Sequence, residues 1–67
     1  MMSADNYLSI EEDKNGKWKA FEGCASTDAP PSYLVFKAPN VKEAIEKANA
    51  YCEKNVVEYG YTLHFYG

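Results

Sequence analysis

The sequence predicts a two-layer α+β domain, with one amphipathic helix packed on a four-stranded, mainly antiparallel sheet in the order β-β-β-α-β. Three observations carry that expectation. Residues 7–12 alternate in polarity and run into Asp13-Lys14-Asn15-Gly16, a hairpin turn signal. Val41, Ala44, Ile45, Ala48 and Cys52 recur at helical spacing just after Asn40, a good capping residue. Alternation then returns in the tyrosine-rich stretch from Val56 to Tyr66.

The first strand reads from Tyr7 to Glu12, with Leu8 and Ile10 on one face and Tyr7, Ser9 and Glu11 on the other. Gly16 suits the left-handed position that closes a three-residue loop with a bulge. That loop pairs Ile10 with Ala20, Glu11 with Lys19 and Glu12 with Trp18, and so buries the only tryptophan. A two-residue Asn15-Gly16 loop would instead pair Ile10 with Phe21 and turn Trp18 to the opposite face. The first register is preferred, although it leaves Phe21 on the face away from the core. The second strand runs from Lys17 to Cys24. Ala25 to Ser32 is a loop, because Pro30-Pro31 has no N–H to give to a ladder.

The third strand is short and apolar, from Tyr33 to Ala38. Pro39-Asn40 stops it and starts the helix, and Glu43 makes an Asn-x-x-Glu form of the capping box. Tyr51 flanks the apolar stripe, Glu43 and Lys47 stand in the favourable i, i+4 order, and Asn55 ends the helix. In the last strand, strongest from Tyr59 to Phe65, Tyr59, Tyr61, Leu63 and Phe65 share one face. Gly60, Thr62, His64 and Tyr66 share the other.

At 67 residues the chain is read as a single domain over 1–67, with residues 1–5 as a flexible lead-in. A core this small gains from a dimer interface or a bound partner. Hydrophobic residues make up 46% and charged residues 25%, a globular balance rather than a disordered one. Seven lysines, no arginine and a net charge of −3 argue against a dedicated nucleic-acid binder, which uses a basic face and bidentate arginines. No apolar run reaches the ~20 residues of a membrane span, and the start has no signal-peptide pattern. The expected compartment is therefore the cytoplasm, that of the host cell if the chain is phage-encoded, with Cys24 and Cys52 as free thiols.

The sequence predicts no catalytic site, no cofactor and no metal. Cys24, Cys52 and His64 are the only soft ligands, with no Cys-x-x-Cys and no second histidine. His64 titrates near neutrality, but no nucleophile is placed beside it by spacing. Glu11, Glu12 and Asp13 read as a solvated hairpin end. Phosphate-binding glycine loops and a Gly-x-Ser-x-Gly elbow are absent from the sequence. One helix covers only one face of a sheet, yet the opposite face carries Tyr7, Phe21 and Tyr66 beside Ser9, Thr62 and His64. Aromatic residues are enriched in binding interfaces. The expected partner-binding residues are thus Tyr7, Phe21, Tyr33, His64 and Tyr66 from the strands. Ser26 and Asp28 join them from the small, proline-stiffened loop Ala25 to Pro31. The expected partner is another protein or a second copy of the chain; nucleic acid and membrane are not expected. A small-ligand or nucleotide-binding oligomer is the alternative.

Two resemblances add to this reading. The start Ser3-Ala4-Asp5-Asn6-Tyr7, the hairpin Gly16-Lys17-Trp18, Ala25-Ser26, Glu43-Ala44-Ile45 and Glu58-Tyr59-Gly60 together resemble a group of small phage and prophage proteins. That likeness implies a phage accessory protein with no established activity. With the small size, the absent catalytic motifs and the surplus aromatics, the leading expectation is a non-enzymatic binding module that inhibits or modulates a host protein by covering its surface. The element order, with Gly23-Cys24 and Glu43-Ala44, is also similar to the HicB-type antitoxin domain. The segment between those two pairs is longer than in that family, and no C-terminal DNA-binding region follows. The second likeness therefore implies binding to a small toxin rather than transcriptional control.

Overall fold

The computed structural model describes residues 5–26, 30–55 and 57–67. Its elements are β1 (Asn6–Glu12), β2 (Trp18–Cys24), β3 (Tyr33–Ala38), α1 (Val41–Lys54) and β4 (Tyr61–His64). They form one four-stranded sheet in the order β3-β2-β1-β4. The β1–β2 and β2–β3 pairs are antiparallel, and β4 joins β1 in parallel after the helical crossover. α1 packs on one face, chiefly over β2 and β3. The α+β class and the element order are those read from the sequence.

The hairpin closes in the register that buries tryptophan: Ile10 stands opposite Ala20, Glu11 opposite Lys19 and Glu12 opposite Trp18. The cause is local. Asp13 Oδ1 accepts from the N–H groups of Asn15 (2.8 Å) and Lys17 (3.0 Å), its carbonyl accepts from Gly16, and Gly16 sits at φ 80°. Trp18 is 2% exposed. Phe65, just beyond β4, meets it edge-on with ring centroids 5.1 Å apart.

β3 carries a bulge that the sequence reading lacks. Ala20 pairs with Phe36 but Phe21 pairs with Leu34, so Val35 is an extra residue opposite the Ala20–Phe21 step. Plain alternation would place Tyr33, Val35 and Lys37 together on the face away from the helix. The bulge instead brings Leu34 to that face beside Phe21 and lets Val35 and Phe36 both pack on the core. Tyr33 is displaced to the helix side, opposite Glu22. A one-residue insertion in a period-two strand flips everything beyond it, which is why Tyr33 departs from the expected face.

The helix begins where its cap dictates: Asn40 is extended at φ −154° and its Oδ1 accepts from the N–H of Glu43 at 2.9 Å. At the other end Asn55 returns both its N–H and its side-chain amide to the Tyr51 carbonyl. Ala44 and Ala48 are fully buried against the sheet, where Ala20 is also fully buried. Small residues on both layers let the backbones approach closely, and Leu8, Ile10 and Trp18 supply the bulk of the core. Val41, Tyr51 and Cys52 pack around it. Tyr61 and Leu63 close the β4 side, and Tyr61 also donates from its hydroxyl to Asn49 at 3.2 Å.

The last strand is shorter than expected. Gly60 takes φ 68° and its N–H returns to the Val57 carbonyl, so residues 57–60 form a turn and pairing starts at Tyr61. Val56 lies outside the described residues. At the head of β1 the Asp5 carbonyl accepts from Ala25 at 2.6 Å. Among the described residues no helix is long and apolar enough to cross a membrane.

Candidate functional site

The face of the sheet away from α1 is organised in rows that run across the strands. Lys37, Lys19, Glu11 and His64 stand side by side in one row. Leu34, Phe21, Ser9 and Thr62 form the next, and Gly23 and Tyr7 the third. The face is thus charged at the hairpin end and apolar at the other. Its middle is closely filled, since Ser9 is only 7% exposed although no helix covers it. The Ser9 hydroxyl lies 3.5 Å from Glu11 Oε2, to which it donates.

The apolar end is built around a glycine. A Cβ on Gly23 would lie 2.7 Å from Cζ and from the hydroxyl oxygen of Tyr7, and 2.9 Å from Pro31 Cβ. The Tyr7 ring therefore lies across its cross-strand partner, and Pro31 of the β2–β3 loop approaches the same position. An aromatic ring laid over a strand glycine supplies the packing that the glycine lacks. Phe21 and Leu34, the latter 42% exposed, continue this patch toward the β3 edge.

Of the expected partner-binding residues, Tyr7, Phe21 and His64 lie on this face. Tyr7 and Phe21 are half-buried and His64 is exposed. Tyr33 is 68% exposed but belongs to the helix side. Tyr66 is 63% exposed and lies past the end of β4, with its N–H donated to Glu12 Oε1 at 3.0 Å. Ser26 is exposed and its hydroxyl is 3.0 Å from the Cys24 thiol. Asp28 lies outside the described residues. The sequence reading missed Leu34, and it placed Pro31 in the contact loop without its approach to Gly23; the first is set by the bulge and the second by the loop packing back on the sheet, and neither leaves a signal in strand periodicity.

On the helix side, Glu22 joins three segments. Its carboxylate accepts from Asn6 Nδ2 at 2.7 Å and from the Tyr51 hydroxyl at 2.9 Å, while Asn6 Oδ1 accepts from the N–H of Glu58. Burial, and then the bond to Glu22, push the Tyr51 hydroxyl above its ordinary pKa. Burial likewise pushes the Cys52 thiol up, away from the reactive thiolate. Neither Cys24 nor Cys52 is in a disulfide. Among the described residues no three His, Cys, Asp or Glu side chains gather as a metal site would require.

A cleft of about 390 Å³ opens at the hairpin end of the β2–β3 ladder, lined by Asp13, Lys17, Trp18, Lys19, Lys37 and Pro39 among others. The Lys17 and Asn15 N–H groups hold the Asp13 carboxyl below its usual value, with Lys19 and Lys17 adding to the effect. Comparison with protein-family models, with curated proteins and with solved structures finds no match for this chain.

Proposed function

We propose that the chain is a non-enzymatic protein-binding module that acts by covering a surface of another protein. One observation carries the reading. The sheet face opposite the helix presents Phe21 and Leu34 as neighbours at its apolar end, framed by Tyr7 and Pro31. A sheet with one solvated face ordinarily shows polar residues there, and an apolar patch rimmed by polar groups marks an interaction site. In line with the resemblance to small phage proteins, the proposed partner is a host protein, and binding would inhibit or modulate it by occlusion. The HicB-like likeness offers a small toxin as the partner instead, through the same face.

The test is a pull-down from bacterial lysate followed by native mass spectrometry, run with the wild-type chain and with Phe21→Ser/Leu34→Ser. The expected result is one protein captured in stoichiometric amount by the wild type and lost with the double variant, while far-UV circular dichroism is unchanged. Equal capture by both chains overturns the reading. A wild-type chain that captures nothing and sediments as a dimer dissociated by the double variant assigns the face to self-association instead.

A further inference from the structure

We infer that the cleft at the hairpin end is a binding site for a small phosphoryl anion carrying two or more negative charges. The inference concerns the charged hairpin end of the sheet, not the apolar end proposed to bind a protein. Lys19 and Lys37 are directly opposite one another across β2 and β3, and Lys17 lines the same cleft. Three lysines and one carboxylate residue therefore line the cleft, in a chain whose net charge is −3. That carboxylate, on Asp13, is already engaged by two backbone N–H groups of its own turn. Lys17 and Lys19 attract that carboxylate without closing to an ion pair. Glu11 pairs with Lys19 on the side away from Lys37 and does not line the cleft.

Like charges set directly opposite destabilise a sheet. A lysine on the edge strand β3 discourages pairing with another chain, which accounts for Lys37 alone. It does not account for Lys17, and Lys19, which meets Glu11 on one side, still faces Lys37 on the other. An anion between the three would turn the repulsion into attraction. The spacing fits a phosphoryl group better than a carboxylate. Strand residues two apart lie roughly 7 Å from each other and cross-strand partners about 5 Å. A diphosphate concentrates several charges over that span, with oxygens pointing in all directions. Lysine meets them as a compact point charge with three rotatable donors. A carboxylate supplies one charge in one plane. Trp18 is buried and gives no ring face for a nucleobase to stack on, so the recognised part of the ligand is the phosphoryl group itself.

The test is a titration of the ¹⁵N-labelled full chain with sodium pyrophosphate at low ionic strength, followed by amide and Trp18 indole shifts. Saturable shifts are expected at residues 17–19, at 37 and at the Trp18 indole. Lys19→Gln/Lys37→Gln should weaken binding about tenfold, the sum of two surface charge contacts. Lys42→Gln/Lys54→Gln removes the same charge elsewhere and should leave it unchanged. Shifts that rise linearly without saturation, equal weakening by both double variants, or tighter binding of a tetra-aspartate peptide than of pyrophosphate would each overturn the proposal. The cleft variant relieves a repulsion, so its fold is not at risk; an unchanged pattern of shifts away from the cleft verifies that.

Discussion

Single residues carry more of this structure than their types announce. Gly23 is the clearest case. Its missing side chain is the seat of the Tyr7 ring, and Pro31 crowds the same position. Gly23→Ala is therefore expected to destabilise by about 1–3 kcal/mol, the usual cost of overpacking. In a Tyr7→Ala background the same change should cost much less, because the ring that the new methyl strikes is gone. Urea unfolding of the four proteins in that cycle measures the difference; an equal cost in both backgrounds would show that the ring does not occupy the glycine seat. Tyr7 was legible as an aromatic on the open face, but not as a lid over a glycine. Periodicity gives the face of a residue and says nothing of which neighbour its ring lies on.

At the scale of elements, the parts with dense local signals were readable and the β3 bulge was not. The turn from Asp13 to Gly16 and the helix from Asn40 to Asn55 are each specified by side chains that hydrogen-bond their own backbone within four residues. The bulge in β3 arises from how Ala20 and Phe21 meet Phe36 and Leu34 across strands, which no local pattern records. The facing lysines of β2 and β3 also follow from that register. Lys37→Glu would place opposite charges across the ladder, and it is expected to raise stability by about 0.2–1 kcal/mol. Thermal unfolding at low and high salt checks this. The gain should shrink as salt screens the pair.

For the whole molecule, stability is expected to be lost at both ends of the pH scale, for reasons in different places. Asp13 has its folded pKa lowered by turn N–H groups. Its contribution is full above the ordinary carboxylate pKa of about 3.9 and disappears as pH falls through the lower folded value. Tyr51 and Cys52 have their folded pKa values raised, chiefly by burial. Their contribution is full below the unfolded values, about 8.5 for cysteine and 10 for tyrosine, and is lost as pH rises beyond them. Urea midpoints measured across pH should therefore fall below about pH 4 and above about pH 9. Tyr51→Phe should flatten the alkaline limb and leave the acid limb alone, and Asp13→Ala should do the reverse. An alkaline limb unchanged in Tyr51→Phe would remove the Tyr51 hydroxyl from that account.

By itself the sequence determined the α+β class, the element order, the hairpin register that buries Trp18, the cap of α1 with its core positions Val41, Ala44, Ala48 and Cys52, and the alternation within β4. Each of these is specified by residues close together in the chain. The tertiary structure alone decided that β4 pairs in parallel with β1, that Tyr33 turns to the helix side, and that Leu34 joins Phe21 on the open face. It alone gathered Lys17, Lys19 and Lys37 around one cleft. Those features depend on which strands become neighbours and in what register. Side chains far apart in sequence settle both together, by closing the core under Ala44 and Ala48.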